Sequence, residues 1–421
     1  MPALNPKPYR RFNRVLLGTA GGIVLLFIAF NTWVNPLWVT PAPWTNKDLA
    51  EYRPIYRQQR TGKAGLVRSV PWQVGFFGSS RVDIAYDPML PGWGDKKVVN
   101  LAVSAGTLPE TAAIVRYTLD RCPLETAIVG IDLGDLTGAN SGYRTTGFME
   151  SPFNPKGDAI ERELRYLGGI STFEAAVNTL RNKSKGKLPE YTPQGHRLRH
   201  QDKPDVRKII YDDAIPHALR ATRRRKHAAQ VHQYAGNEWK MSLLRQILDD
   251  TKKHGVRLVL TIPPSHATYI SVYEFAGDPD PFFSLDREIM TRLVADSNAA
   301  HPDAPPAEIW DFNDYHPLNC EQIPPHGIRM HWWLDGTHAR KALGDVMLAR
   351  IMGWPVPEGG EGYGFQLTAA NAAQRIESLK ANYVQFGKEH RDMYDWMVEG
   401  IESYQSTGDP GAAEPEGAQA F

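Results

Sequence analysis

The sequence has little cysteine, almost no net charge and a single long apolar run, and each scarcity excludes a class of protein. Two cysteines in 421 residues exclude a disulfide-stapled scaffold and a cysteine-rich zinc module. The 48 Lys and Arg nearly balance the 47 Asp and Glu, so the surface as a whole is not built for nucleic acid. Hydrophobic residues at 42% and charged residues at 23% indicate a folded globular chain.

The apolar run covers residues 15–34 and contains no charged side chain. Twenty residues at a rise of ~1.5 Å each span about 30 Å, the thickness of a bilayer's hydrocarbon core. Four basic residues precede the run, and none follows it until Lys47. The positive-inside rule therefore predicts a single transmembrane helix, with residues 1–14 in the cytoplasm and the rest of the chain outside. A cleaved signal peptide is the alternative, although no small-x-small cleavage site follows the run.

Short apolar runs of strand type alternate with helical patterns after the anchor. We predict strands at 74–77, 97–103, 126–133, 256–262 and 307–312. We predict helices at 46–60, 108–121, 237–254 and 339–352. This alternation is typical of an α/β domain in which helices cover both faces of a mostly parallel sheet, a three-layer α/β/α sandwich.

The same patterns set the predicted domain boundaries. The α/β domain covers residues 71–354, and residues 35–70 form a proline-interrupted linker with a first helix. Residues 355–405 form a C-terminal helical extension, with one long helical pattern over 365–405. The small, polar segment 406–421 is rich in proline and glycine and predicts a disordered tail.

Residues 151–240 interrupt the strand–helix rhythm with a basic insertion. They contain 18 Lys and Arg against 10 Asp and Glu, including the run RRRK at 223–226. One interpretation is a solvated insertion or helical cap. The other is a surface for anionic polysaccharide or anionic phospholipid head groups. A location outside the cell argues against a nucleic-acid partner.

Two distant segments carry the residue types of nucleophilic catalysis. The segment GSSR at 78–81 ends the first predicted strand, and DGTH at 335–338 precedes the last core helix. A serine nucleophile needs a base within hydrogen-bond reach, and the base needs a carboxylate that fixes its tautomer. Asp335 and His338 can turn toward one another and meet Ser80 at the carboxyl edge of the sheet, where open α/β sheets place their sites.

These residues resemble the SGNH (GDSL-type) hydrolase superfamily. The resemblance implies that Ser80 is the nucleophile, that His338 and Asp335 are its base and carboxylate, and that Ser79 stands where the family has Asp. Residues 100–107 (NLAVSAGT) resemble the family's second block, whose glycine gives a backbone N–H to the oxyanion hole. By strict spacing that position is Ala105, with Gly106 one residue further on.

The third family block, Gly-x-Asn-Asp, is where this sequence departs from the pattern. The segment here is DLGD at 132–135, with Asp132 in the site and Asn140 five residues beyond. Loss of one oxyanion donor typically costs ~10²–10³ in rate. Arg81, next to the nucleophile, is a candidate cationic substitute for that donor.

The ordered set of motifs behind one N-terminal span is similar to membrane-anchored SGNH-like proteins of bacterial surface polysaccharide systems, including periplasmic O-acetyltransferases. This resemblance implies an inner-membrane protein with its domain in the periplasm. It implies a Ser-His-Asp O-acetyltransferase or acetylesterase that acts on a polysaccharide, without a cofactor. A membrane-embedded protein is the implied acyl donor. The alternative is a catalytically inactive scaffold or glycan-binding subunit of a polysaccharide assembly or secretion complex.

Other interpretations of single residues remain open at this point. Gly-Ser-Ser after a strand can be only a turn, and Asp335 can be only a helix cap. Asp311 can line the site or end a strand.

Three further groups of residues also allow more than one interpretation. His326 and His331 with His338 lack the spacing and carboxylates of a zinc site. Trp332 and Trp333 favour core packing over stacking on a sugar. Spacing does not decide whether Cys122 and Cys320 pair or stay free.

Overall fold

A computed structural model describes residues 6–138, 142–143, 146–199 and 205–406. Asn140 and the predicted tail beyond Ser406 lie outside the described residues. The chain forms two compact units, the smaller from Met1–Ser69 with Thr145–Pro193 and the larger from Val70–Arg144 with Gln194–Phe421. The predicted insertion 151–240 is therefore divided, because its first part belongs to the smaller unit and its second part to the larger.

The smaller unit begins with α1, Pro6–Val34. Within the described residues α1 is the one helix long and apolar enough to cross a membrane, and only 11% of its most apolar stretch is buried. The unit also contains 3₁₀ turns at Lys47–Tyr52 and Ile55–Gln58, followed by α2 Gln59–Ser69, α5 Thr146–Met149, α6 Ala159–Gly168 and α7 Ile170–Ser184.

The predicted helix at 46–60 is wrong. Two 3₁₀ turns occupy most of this range, and α2 begins only at Gln59. Pro54 separates the turns, and the residue before it, Arg53, has extended backbone angles of φ −68° and ψ 133°. A residue that precedes proline is kept out of the helical region by the proline ring, so the continuous helix cannot form here.

The larger unit is built on one sheet, which has six strands within the described residues. Its strands are β1 Val74–Phe77, β2 Val98–Asn100, β3 Thr126–Gly130, β4 Arg257–Ile262, β5 Glu308–Asp311 and β6 Phe365–Leu367. The strand order is β2-β1-β3-β4-β5-β6, and all neighbours are parallel except β5 and β6. The predicted mostly parallel α/β sheet is confirmed, and each of the five predicted strands is present within its range.

Helices lie between these strands, and two more follow the last strand. They are α3 Ser80–Ala85, α4 Leu108–Leu119, α8 Val206–Ile209, α9 Ile215–Gln230, α10 Glu238–Lys253, α11 Ala267–Phe275, α12 Ser284–Ala300, α13 Lys341–Met352, α14 Ala372–Glu389 and α15 Arg391–Ser406. A 3₁₀ turn lies at Pro91–Trp93, and a π-helical turn at Ile210–Ala214 joins α8 to α9. The predicted helices 108–121, 237–254 and 339–352 correspond to α4, α10 and α13.

The strand order creates a crevice at one edge of the sheet. The chain passes from β1 to β2 on one side and then crosses back to β3 on the other side of β1. In an open parallel sheet, two neighbouring strands can be followed by connections that run in opposite directions. The loops at the carboxyl ends of those strands then diverge, and ligands bind in the crevice between the loops. Residues that follow β1, β2 and β3 therefore lie around one crevice.

The single helical pattern expected over 365–405 is also wrong. Its first residues form β6, which pairs antiparallel with β5, and the remainder divides into α14 and α15. His390, with φ −118° and ψ 47°, separates the two helices. A three-residue edge strand is too short to show an alternation of its own, so the helical pattern that follows obscures it.

Asp311 at the end of β5 belongs to a buried ion network. Its Oδ2 lies 2.9 Å from the Nε atoms of both Arg287 and Arg375, and all three side chains are almost fully buried. Burial alone would raise the pKa of Asp311, but the two guanidinium charges hold it below its usual value. Asp311 therefore has a structural role, because removal of one partner would leave buried charges unpaired.

Both cysteines are free and buried. The Cys122 thiol lies 3.8 Å from the carbonyl oxygen of Val70, and the Cys320 thiol lies 3.4 Å from that of Tyr315. Burial raises the pKa of both thiols, that of Cys320 to about 12. The two residues are thus uncharged, inert thiols that form no disulfide with one another.

Candidate active site

Ser80 lies at the carboxyl end of β1, at the first residue of α3. All four residues of β1 are buried, and Gly78 then turns the chain with φ +136°. A side chain at position 78 would also approach the carbonyl oxygen of Gly130 to 2.9 Å, so only glycine fits this turn. Ser79 caps α3, because its side chain accepts a hydrogen bond from the N–H of Arg81 at 3.4 Å. The strand, turn and cap together present Ser80 at the crevice.

A chain of hydrogen bonds joins Ser80 to His338 and Asp335. Ser80 Oγ lies 2.8 Å from His338 Nε2, and His338 Nδ1 lies 2.8 Å from Asp335 Oδ2. Ser80 and His338 are 258 residues apart in sequence, and both are only partly buried. The structure therefore brings the three predicted residues together in the order serine, histidine, aspartate. The serine and the histidine remain accessible to solvent.

The charge on Asp335 determines which ring nitrogen carries the proton. Burial by itself would raise the pKa of Asp335, but the neighbouring His338 and the backbone N–H groups of Thr337 and His338 hold it well below its usual value. An ionised carboxylate can only accept, so His338 Nδ1 must donate to it. Nε2 of the neutral ring is then left to accept the proton of the Ser80 hydroxyl.

The loop that carries Asp335 and His338 is held by its own hydrogen bonds. Asp335 Oδ1 accepts the backbone N–H groups of Thr337 and His338, both at 2.8 Å. The N–H of Leu334 donates to the carbonyl of His338 at 2.9 Å and closes the loop. Asp335 therefore caps this turn with one oxygen and orients the imidazole with the other. The helix α13 begins later, at Lys341, so the alternative of a simple helix cap is wrong.

Close packing of α3 against α13 explains how the two halves of the site meet. Gly344 in α13 lies so near the carbonyl oxygen of Ala85 in α3 that a Cβ atom would be only 1.9 Å away. The missing side chain lets the two helices approach until their backbones touch. Ser80 begins one of these helices, and His338 precedes the other by three residues.

Ala105, in the loop after β2, offers a backbone donor. Its φ of +51° is unusual for a residue with a side chain, and its N–H donates to no described residue. The N–H of Gly106 instead donates to the carbonyl of Val103 at 2.9 Å. The N–H of Ser80 also has no acceptor among the described residues. Of the two predicted oxyanion positions, only Ala105 thus has an available N–H.

Asn100 at the end of β2 positions this loop against α3. Its side-chain amide donates to the carbonyl oxygens of Val82 and Tyr86, both at 2.9 Å, and its Oδ1 accepts the N–H of Ala102. The N–H of Val103 donates to the carbonyl of Gly78. The loops after β1 and β2 are therefore hydrogen-bonded to one another, and the donor at position 105 is held beside the turn that carries the serine.

Arg81 and Asp132 form an ion pair next to Ser80. Arg81 Nε lies 3.5 Å from Asp132 Oδ1, and the two side chains are 17% and 28% exposed. Asp132 Oδ1 is buried and makes no hydrogen bond within the described part of the chain. Arg81 Nη1 lies 3.5 Å from the carbonyl of Pro263. The guanidinium charge of Arg81 is therefore partly neutralised by a carboxylate in the loop that follows β3.

Asp286 in α12 supports the loop after β3 and had no sequence motif to mark it. Its Oδ1 accepts the N–H groups of Gly134 and Leu136 at 3.2 and 3.1 Å, and its Oδ2 accepts the hydroxyl of Thr137 at 3.2 Å. Burial raises the pKa of Asp286 to about 6, although these hydrogen bonds favour the ionised form. Only the fold brings this carboxyl to the site, 150 residues after the loop that it holds.

Asp286→Asn is expected to remove a pH dependence of stability. Because the pKa is about 6 when folded and near 4 when unfolded, the folded state holds the proton more tightly. Wild-type stability therefore falls as pH rises from about 4 to 6, by at most ~1.4 kcal/mol per pH unit from this group. In denaturant unfolding experiments, the free energy of unfolding of the variant should therefore increase relative to that of wild type as pH rises from about 4 to 6. The exposed Asp296 on the same helix supplies the matched Asp-to-Asn control, and parallel wild-type and variant curves would contradict the assignment.

Other candidate residues have structural surroundings. His326 Nδ1 lies 2.6 Å from Asp205, and His331 packs edge-on against Trp332. No group of three or more His, Cys, Asp and Glu that could hold a metal occurs among the residues that the structure describes. Trp333 is fully buried, and its indole N–H donates to the carbonyl of Leu318.

Two cations of the basic run at 223–226 bind partners within the larger unit, Arg225 from a half-buried position and Lys226 from an exposed one. Arg225 pairs with Asp278 at 2.6 Å, and its guanidinium lies over the rings of Tyr273 and Phe283. Lys226 Nζ donates to the carbonyl of Ala276 at 2.6 Å. At least these two cations of the run therefore already have protein partners.

A cavity of about 700 Å³ lies in the smaller unit. Its lining includes Arg57, Arg60, Arg162, Arg165 and Tyr166. Ser80, His338 and Asp335 do not line this cavity, so the cavity is separate from the hydrogen-bonded site at Ser80.

No protein-family model matches the chain, and no curated protein matches it.

Proposed function

We propose that the protein is a Ser-His-Asp acyl-ester enzyme, an O-acetyltransferase that acts on a bacterial surface polysaccharide. The observation that carries this proposal is the hydrogen-bonded chain from Ser80 through His338 to Asp335 at the crevice of the sheet. A hydroxyl, an imidazole and a carboxylate in this order form a nucleophile with its base and the group that orients the base. We further propose that the larger unit is a three-layer α/β/α sandwich of the SGNH kind.

In the first half of the reaction, Ser80 Oγ attacks the acyl carbonyl carbon of the donor ester, and its proton passes to His338 Nε2. The carbonyl oxygen becomes an oxyanion that the N–H groups of Ser80 and Ala105 can stabilise. The C–O bond of the donor then breaks, and its alcohol leaves with the proton from His338. The products are the acyl-Ser80 ester and a neutral imidazole.

In the second half, His338 Nε2 takes the proton of an acceptor hydroxyl as that oxygen attacks the acyl-Ser80 ester. The tetrahedral species collapses, the bond to Ser80 Oγ breaks, and the proton returns to the serine. A sugar hydroxyl as acceptor gives an O-acylated polysaccharide, whereas water gives acetylesterase activity. Both outcomes use the same residues, because they differ only in the acceptor.

Membrane attachment supports transfer over hydrolysis. We propose that α1 spans the bacterial inner membrane once and that the chain after α1 lies on the periplasmic side, since basic residues flank only the N-terminal side of the span. An enzyme tethered at the membrane surface is suited to receive acyl groups from a membrane-embedded donor protein. The polysaccharide would then be modified as it leaves the membrane.

A second candidate function is a non-catalytic scaffold or glycan-binding subunit of a polysaccharide secretion complex. The carboxylate of Asp132 near the nucleophile favours it, because a second negative charge opposes an oxyanion. The ion pair with Arg81 partly neutralises the charge of Asp132 and so reduces its repulsion of an oxyanion. The site would then bind glycan hydroxyls without forming an acyl-enzyme.

The test is the acetyl content and the amount of surface polymer in cells that carry Ser80→Ala. The proposed transferase predicts that acetyl content is lost while the amount of polymer is maintained. Ser378→Ala, which removes an exposed hydroxyl on α14, is the matched control and should leave both quantities unchanged. Unchanged acetyl content in Ser80→Ala cells would exclude the transferase and favour the scaffold.

A further inference from the structure

The helix α6 of the smaller unit carries large apolar side chains on its exposed surface. Ile160 and Leu164 are 74% and 62% exposed, and Ile170 at the start of α7 is 74% exposed. Ile160 and Leu164 are four residues apart, so they lie on one face of the helix. Such a ridge of isoleucine and leucine is costly to leave in water.

The opposite face of α6 is the one that packs on the protein. Tyr166 is buried in a cluster with Leu37, Val39 and Ala175, and its hydroxyl donates to the carbonyl of Glu150 at 2.6 Å. At about 100° per residue, Tyr166 lies roughly 200° around the helix from Leu164. The exposed ridge therefore points away from the body of the smaller unit.

The C-terminal part of α1 lies directly beside α6 and the start of α7. Asn31 donates from its side-chain amide to the carbonyl of Leu167 at 2.8 Å. The rings of Phe27 and Phe30 pack on Phe173 at centroid distances of 4.6 and 5.4 Å. The end of α6 is thus level with the last turns of the apolar helix.

These contacts indicate how deep the C-terminal end of α6 lies relative to the proposed span. If the span ends near Val34, positions 27–31 lie about 5 to 10 Å inside the outer boundary, at ~1.5 Å per residue. An amphipathic helix that lies in the membrane interface is buried by a similar ~5–10 Å. Arg165 and Glu161, on the flank of the ridge, pair at 2.5 Å and supply its polar border.

Helix α7 leads away from this level. Its early residue Phe173 contacts Phe27 and Phe30, whereas the later residues Ala176 and Leu180 cluster with Val34. The helix α7 therefore runs in the same direction as the C-terminal part of α1, toward the end of the apolar segment. Its last residue, at position 184, is about 16 Å further along the axis than Phe173.

We propose that α6 lies in the outer interface of the bilayer beside α1, with Ile160, Leu164 and Ile170 inserted among the lipid acyl chains. The partner is the lipid surface itself, because the exposed ridge belongs to a helix whose C-terminal end packs against the apolar helix α1. This inference rests on the location proposed above, in which α1 spans the membrane. The smaller unit thereby has a second, peripheral contact with the bilayer in addition to its span.

The experiment uses the full chain in phospholipid nanodiscs, with both native cysteines replaced by alanine and one nitroxide spin label per variant. The test variant is Leu164→Cys. Leu25→Cys, on the exposed middle of α1, reports whether the span is in lipid, and Ser184→Cys is the control at the outer end of α7. Accessibility to oxygen, which concentrates in lipid, is compared with accessibility to a neutral nickel chelate, which stays in water.

We expect the label at 164 to favour oxygen severalfold over the nickel chelate, as the label at 25 does, while the label at 184 favours the chelate. If the label at 164 behaves like that at 184 while the label at 25 remains in lipid, the inference is overturned and the proposed span stands. If the label at 25 is also in water, both are overturned. Low accessibility to both reagents with dipolar broadening at 164 would instead assign the ridge to contact with a second copy of the chain and overturn contact with lipid.

Discussion

Ser80→Ala is expected to lower kcat for ester hydrolysis by about 10⁴- to 10⁶-fold, the loss typical of removing the nucleophile of a serine triad. Alanine leaves no oxygen to attack the carbonyl, and His338 Nε2 loses its 2.8 Å partner. The measurement is turnover of an activated acetyl ester by the purified full chain in detergent. The Ser80 side chain is half-buried at the crevice and, within the described residues, bonds only to His338, so the variant should fold as wild type does.

Ser378→Ala separates this effect from a general loss of hydroxyl groups. Ser378 is exposed on α14, where its hydroxyl donates to the carbonyl of Gln374 one turn earlier. Its turnover should equal that of wild type. If Ser80→Ala also retained wild-type turnover, the reaction would be using another nucleophile and the proposed mechanism would fail.

Asp335→Asn is expected to lower kcat by about 10⁴-fold with little change in KM. The amide that replaces the carboxylate would donate to the imidazole, so Nδ1 would have to accept and the ring proton would move to Nε2. A protonated Nε2 cannot take the proton of Ser80. The remaining side-chain oxygen can still cap the turn at Thr337 and His338, which keeps the loop in place.

The pattern of this loss distinguishes an orienting role from a merely structural one. Unfolding of the loop would raise KM and lower the melting temperature, whereas the wrong tautomer lowers kcat alone. Asp395→Asn, on an exposed pair in α15, is the matched control for the same chemical change. A variant Asp335→Asn with wild-type kcat would show that the carboxylate does not determine the tautomer of His338.

The sequence predicts the structure best where the local residue pattern and the tertiary environment favour the same element. The strand β1 is an apolar run that ends at a glycine, and the structure has the same bounds, Val74–Phe77. The segments at 78–81 and 335–338 could be paired because nucleophilic catalysis needs both residue sets in one place. The close contact at Gly344 that brings them together has no signature in a single sequence.

Residues that act through distant partners escaped prediction. Asp286 holds the loop after β3 from another helix, and Asp311 is neutralised by Arg287 and Arg375 from two different helices. Nothing in the neighbouring residues of a lone aspartate reveals which cations the fold will bring to it. The same limitation applies to β6, which is a strand only because β5 lies beside it.

The most direct test that Ser80 and His338 act together is covalent labelling of the full chain by a serine-directed fluorophosphonate, followed by peptide mass spectrometry. Ser80, activated by His338, is predicted to carry the adduct, and labelling should be lost in His338→Ala while Ser80 is still present. An adduct at a different serine, or labelling of Ser80 that persists without the imidazole, would contradict the claim that these two side chains form one catalytic unit.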